Sequence, residues 1–359
     1  MGHPFISNAV KGIQGGRALL ILFVALFFAP ALHAEEAPFN PYTEEFPEGR
    51  IDWDKGLVYG IGKGYLHLNK GSRAHALRAA RALALQSILK VAAGVRLDDR
   101  ETLESLGASG RVEIRLSGLV RHEEHETSMQ KDGDRDYVRV TYRAPLRGIE
   151  GLTRKLIVEL RKKPSAWETF PAKRPGGKAA SPEGLPWLVV DARGLPSGAS
   201  VKPALFPRIH SDGGGPVYAL DRVYETALIE RGMARYVVLD PAHDRLLSSA
   251  PGFLARLCSF FSTPRAWAQN AKKRRGSGGY VVVNARNAEG LKKTNLVISK
   301  EDAQRIQQED ASSDMLKECR VIVVVSGTLG GIEGRLEPQP GPLGGEDVAS
   351  TLSGRGGRL

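Results

Sequence analysis

The sequence predicts an α+β protein: a small sheet with one long packing helix, followed by a second, mixed α/β domain. Three observations predict it. "GLVYGIGKG" (56–64) sets glycine at alternate positions and leads into a long Ala/Leu/Arg-rich stretch. Two stretches with period-2 alternation flank "KDGD" (131–134). From Trp187 onward, valine-rich runs interleave with helix-like stretches.

Length and composition permit two domains, with 359 residues, 42% hydrophobic and 25% charged. The expected divisions are a signal peptide over 1–34, the first domain over 51–161 and a linker over 162–186. A mixed α/β domain follows over 187–327, with an insertion near 248–279, and a disordered tail over 328–359.

Residues 1–17 carry Lys11 and Arg17 and no acid. An apolar run follows from Ala18 to Ala29, Pro30 breaks it, and "ALHA" ends at Ala34. Basic flank, short apolar core and small-residue exit describe a cleavable secretory signal peptide. The run is shorter than the roughly 20 residues a bilayer span needs. The mature chain is therefore expected to start near Glu35 and to work in the periplasm, in association with the outer membrane. No cysteine near the cut offers a lipid attachment point. The precursor's net charge is +11. Such a balance favours anionic envelope material, lipid headgroups or acidic polysaccharide, over nucleic acid. No zinc finger or RNP motif is present.

The glycines at 60, 62 and 64 raise a nucleotide reading, which the spacing opposes. A dinucleotide fingerprint is G-x-G-x-x-G with an acid about 20 residues on. Here the pattern is G-x-G-x-G, and Arg78, Arg81 and Lys90 follow. A P-loop needs Lys before Ser or Thr, and Lys63 precedes Gly64. The segment is read as a strand whose glycines admit close backbone approach, with no cofactor. Ser72 is the expected N-cap of the next helix. Ala76, Ala80, Leu83, Ser87, Ile88 and Val91 form its apolar stripe, widened by Leu77, Ala84 and Leu85. Gly94 is expected to end it in the left-handed conformation. Arg73, Arg78 and Arg81 fall on the outer face.

"DDRETLESLG" offers a short second helix. "RVEIRLSGLVRHEEHETS" reads as a strand with Val112, Ile114, Leu116 and Val120 on one face, and "RDYVRVTYRAPL" as its partner. Asp132-Gly133 is the expected hairpin core. In the second domain, strands are expected at "WLVVDARGL", "ARYVVLD", "GYVVVNAR", "TNLVIS" and "CRVIVVVSG". Helices are expected at "DRVYETALIERG" and "KEDAQRIQQED".

The block from Gly56 to Leu146 resembles the domain of the Lpp-twenty family of surface lipoproteins, which is similar to the N-terminal domain of the flagellar T protein of the outer-membrane H ring. The matching residues are Gly60, Gly62, Ala76, Ala80, Ala84, Gly94, Val95, Gly118 and Val120. The resemblance implies a non-catalytic envelope module that assembles with envelope proteins, with a link to flagellar or other surface structures and to motility. It carries over no catalytic residues, and this chain lacks the lipid-accepting cysteine of the lipoprotein members.

No catalytic or metal set emerges from the motifs. "HEEHE" (122–126) is not H-E-x-x-H, and on a strand His122 and His125 point to opposite faces. "DGDRD" (132–136) lacks the glycine and bidentate acid of a calcium loop, with Tyr137 and Arg143 in those places. Cys258 and Cys319 either pair as a disulfide, which export permits, or stay as two small core residues. Phe253, Leu254, Leu257, Phe260 and Phe261 share a helical face, and Lys272, Lys273, Arg274 and Arg275 form a basic run. This stretch is either an element touching an anionic surface or an insertion packed on its own domain. Three functional readings follow: an envelope assembly component, a periplasmic module binding an anionic polymer or lipid, and a hydrolase. The last would show a polar pocket with convergent ionisable groups.

Overall fold

The computed structural model describes residues 39–109, 116–176, 185–196, 199–239 and 279–326. The expected signal peptide, Val112 and Ile114, Cys258, the Lys272–Arg275 run and the expected tail lie outside them. The described chain mixes helices with two sheets, as an α+β protein should.

The first sheet is antiparallel and contains β2 (Thr43–Phe46), β3 (Gly49–Asp52), β4 (Leu57–Tyr65), β5 (Glu123–Asp132) and β6 (Arg135–Pro145), in the order β2-β3-β4-β6-β5. Across it lies the long helix α1 (Arg73–Ala93), started by Ser72, whose hydroxyl accepts from the His75 amide. The alternating glycines of β4 face this helix. A Cβ built at Gly62 would sit 2.0 Å from the Ala80 carbonyl oxygen, and one at Gly64 would sit 1.9 Å from that of Ala76. At Gly60 it would meet the Ile88 amide nitrogen at 2.2 Å. Ala76, Ala80 and Ala84 are wholly buried in the same seam, beside Val138 and Val140 of β6. Strand and helix thus touch backbone to backbone, and the glycine lane is filled by α1.

That narrow seam explains a correction. Leu83 and Leu85 were expected on the packing face but are 44% and 37% exposed. Each lies about 100° around the helix from Ala84, so a contact only one lane wide leaves both outside. Gly94 is corrected too. Its φ is −75°, right-handed, because its N–H closes the last turn on the Lys90 and Val91 carbonyls.

After α1 comes α2 (Leu103–Ala108), where the expected short helix was placed, with Thr102 and Ser105 forming a reciprocal cap. The expected strand over 111–128 is corrected in part: Leu116–Leu119 is a short helix, α3, that buries Leu119. The strand begins only at Glu123. The hairpin sits one residue later than expected, with Gly133 and Asp134 between the paired Asp132 and Arg135. Gly133 has φ of 60°, the left-handed value a type II′ turn needs at its first central position. Helix α4 (Leu152–Lys162) buries Leu152, Leu156, Ile157 and Leu160.

The second sheet contains β1 (Phe39–Pro41), β7 (Trp187–Asp191), β8 (Ile209–Ser211), β9 (Pro216–Tyr218), β10 (Arg235–Leu239), β11 (Tyr280–Glu289), β12 (Asn295–Ile298) and β13 (Val321–Val325). Their order is β1-β10-β13-β7-β11-β12-β8-β9. The central run β10-β13-β7-β11 is parallel. β13 is buried throughout, as expected of a parallel strand covered on both faces. α5 (Glu225–Arg231) and α6 (Lys300–Ser313) occupy the two expected helical stretches. Residues ahead of the first expected domain contribute strands: β1 pairs with β10 in the second sheet, while β2 belongs to the first.

One continuous buried cluster runs through both halves, from Ile51 and Trp53 to Val323 and Val325. The Trp53 and Tyr236 rings meet edge to face at 6.2 Å across the junction. Backbone hydrogen bonds cross it as well, from Leu205 to Arg96 and from Phe206 to Leu97. Arg147 clasps the same junction. Its guanidinium donates to the Trp53 and Asp54 carbonyls of the first half and to that of Arg231 in the second. Burial and the neighbouring Arg235 push its pKa down to about 9, so it remains charged at neutral pH. The part of the expected linker that is described is docked: Trp167 packs on Phe206, and Ala172 bridges to Tyr224.

Candidate functional site

A cleft of about 520 Å³ opens where the two halves meet. Its floor is β8 and β12, which run parallel with His210 opposite Val297. One wall is the end of β11 with Glu289 and Gly290, and another is the turn through Asp212, Gly213 and Gly214. The first half supplies Asp99 and Arg100. Gly290 permits this approach. Its φ is 88°, and a Cβ there would lie 2.4 Å from the Asp99 Cβ. The Asp99 carbonyl also accepts from the Lys292 amide.

Register places the polar side chains. Glu289 is paired with Asn295 across β11 and β12, and the Leu296 amide bonds the Arg208 carbonyl on the next strand. Partners across a ladder share a face, so Glu289, Asn295 and Arg208 form one row. Asn287, Val297 and His210 form the next. Asn295 is buried, and its side-chain oxygen accepts from the Arg208 amide at 3.3 Å. At the rim, Arg286 holds Asp212 at 2.8 Å and Arg100 holds Glu168 at 3.7 Å. Among the described residues, Asp99, Glu289 and Arg208 are in no ion pair.

His210 has its pKa held below the ordinary 6.5, first by burial and then by the charge of Arg208, against the opposite pull of Glu289 and Asp99. Its ring is neutral at pH 7. As pH falls below 6.5 the unfolded chain takes up the proton first, so stability is full above 6.5 and declines toward the lower folded value. The urea midpoint should therefore fall between pH 7.5 and pH 5.5 by less in His210→Gln than in the parent. Identical slopes in the two proteins would assign the decline to other groups.

The cleft is polar and gathers ionisable groups, the feature by which the hydrolase reading would be known. Ser211 lines it beside His210, but successive strand residues point to opposite faces, so hydroxyl and ring diverge. With Asp212 and Arg100 already ion-paired, what the arrangement offers is binding chemistry: the Asp99 and Glu289 carboxylates, the Arg208 guanidinium, the Asn295 amide and the His210 imidazole.

The residues singled out in the sequence lie elsewhere. His122 packs at a tilt against Tyr142 and His125 against Tyr59, on opposite faces of the first sheet, and a bulge falls between Glu124 and Glu126. No group of three or more His, Cys, Asp or Glu able to hold a metal occurs among the described residues. Cys319 is a free thiol, 2% exposed, and burial pushes its pKa up to about 12. Its partner in the disulfide reading, Cys258, is outside the described residues, as are Lys272, Lys273, Arg274 and Arg275. Sequence reasoning missed the cleft. The signal that could have pointed to it is "SDGGG" (211–215), a glycine run that keeps one wall free of side chains.

With that geometry in place, the comparison with known families bears on the half that builds most of the cleft. Residues 187–327 match the family described as Treponema pallidum Tp0624, second domain. The match covers the second sheet apart from β1, and so includes the cleft floor and the glycine turn. No curated protein matches the chain. Among the described residues, no helix is long and apolar enough to cross a membrane.

Proposed function

We propose that the chain is a non-catalytic, exported component of the cell envelope. Its first half is a module of the Lpp-twenty and flagellar-T type, and its second half is similar to the Tp0624 second domain. In this reading it sits in the periplasm, associated with the outer membrane, and assembles with envelope proteins of a flagellum or another surface structure. One observation carries the reading. Gly60, Gly62, Ala76, Ala80 and Ala84, by which the chain resembles that family, all meet in the single seam between β4 and α1. These residues are thus committed to packing a rigid block, as suits an assembly module. The leader-like run over 1–34 supports the compartment.

Fractionation of cells producing the full chain, with sequencing of the mature N-terminus, tests export. The expected product begins near Glu35 and is recovered in the periplasmic and outer-membrane fractions. Unprocessed chain retained in the cytoplasm would overturn the reading. Cross-linking in intact envelopes then identifies the neighbours, which should be envelope proteins.

A further inference from the structure

We infer that the cleft between the two halves is a binding site for a small zwitterion, an amino acid or short peptide carrying both an ammonium and a carboxylate. The charges in the cleft call for such a ligand. Glu289 and Arg208 stand in one row, two strands apart, so their backbones are separated by about 10 Å. Both side chains line the cleft, yet neither is in an ion pair among the described residues, and Asp99 on the opposite rim is in none either. The other two rim charges, Asp212 and Arg100, already have partners in Arg286 and Glu168. Among the described residues the cleft therefore holds an acidic end and a basic end without ion partners, with the buried Asn295 amide between them; the Glu289 carboxylate accepts one long hydrogen bond, 3.5 Å, from the Asn287 side-chain amide.

Each simpler ligand class leaves something unmatched. An anion would satisfy Arg208 but face Asp99 and Glu289. A cation would satisfy the two carboxylates but face Arg208. A neutral sugar would meet no tryptophan, tyrosine or phenylalanine face, because His210 is the one aromatic ring in the lining. A zwitterion places its ammonium between Asp99 and Glu289 and its carboxylate on Arg208 and the Asn295 side-chain amide. The neutral His210 ring accepts or donates one further hydrogen bond. The side-chain-free turn at Gly213 and Gly214 leaves space for the ligand's own side chain, and the volume is in the range of small-molecule sites.

The test uses the purified full chain and does not depend on its compartment, so its failure and that of the envelope reading are distinguishable. Calorimetric titration and thermal melting are run with alanine, glutamate, lysine and the dipeptide Ala-Ala, against acetate, ethylammonium and glucose. At least one zwitterion is expected to bind saturably and raise the melting temperature, with acetate, ethylammonium and glucose ineffective. Arg208→Gln and Glu289→Gln should each weaken that binding about tenfold or more, the usual effect of losing a charge-assisted hydrogen bond. Since neither side chain has an ion partner among the described residues, both variants should melt like the parent without ligand, which separates lost binding from lost folding. No saturable binding by any zwitterion, equal binding of glucose or acetate, or undiminished binding in both variants would overturn the proposal.

Discussion

Gly62→Ala should destabilise the protein by about 3 kcal/mol or more, at the upper end of what overpacking usually costs. The added methyl would arrive 2.0 Å from the Ala80 carbonyl oxygen, 2.4 Å from the Ala84 amide nitrogen and 3.0 Å from the Ala84 Cα. All three are helix backbone, so no side chain can rotate away. Either α1 lifts off the sheet or β4 bends, and both strip the buried contacts of Val138 and Val140. The control is Gly118→Ala. Gly118 also belongs to the resemblance, but a Cβ there meets nothing within 4 Å and its φ is not positive. That change should be neutral or mildly stabilising, through the lower entropy of the unfolded chain. Urea denaturation followed by circular dichroism measures both. Ala80→Gly should not rescue Gly62→Ala, because the obstacle is the carbonyl and not the alanine methyl. Rescue, or a Gly62→Ala cost below about 1 kcal/mol, would mean that the seam is looser than its geometry.

This seam was legible because its two partners each carry a regular signal. Glycine recurs every second residue on β4, alanine every fourth on α1, and the two periods describe matching lanes. The central strands were legible for a related reason: a run such as Val321–Val325 is buried on both faces and needs no alternation to be recognised. What escaped lacks local periodicity. β1 is three residues long, "FNP", and finds its partner β10 some 200 residues away, which no window of sequence reports. The flanking leucines of α1 misled because a helical wheel shows which residues are apolar but not how wide the opposing lane is. The cleft draws on positions 99–100, 208–214 and 289–297, so its charges converge only once β8, β11 and β12 are in register.

The same limit hid the buried ionic junction at Glu318, where Glu318→Gln should cost about 3–5 kcal/mol, the usual price of breaking a buried charge pair. Glu318 is 1% exposed. Its carboxylate takes Arg174 at 2.5 Å on one oxygen and Arg231 at 3.0 Å on the other. Arg231 ends α5 and its carbonyl holds Arg147, while Arg174 lies over the Tyr224 ring in the segment after α4. One carboxylate therefore joins three stretches of chain to the junction clasp. The Nε atoms of Arg174 and Arg231 are already buried without hydrogen-bond partners, and the second carboxylate that Arg231 touches, Glu230 at 3.3 Å, is largely exposed and offsets little of the loss. Glutamine keeps the shape but leaves two guanidiniums facing each other with one neutral acceptor between them. Urea unfolding at neutral pH should show a lower midpoint with an unchanged slope, since the surface exposed on unfolding is the same. Replacing Arg174 and Arg231 with methionine together with Glu318→Leu should recover most of the loss, because apolar groups of similar size can replace a buried ionic cluster at little cost. If Glu318→Gln is as stable as the parent, the carboxylate is not what binds these three segments. If the triple replacement is as unstable as the single one, the cost arises from shape rather than from unpaired charge.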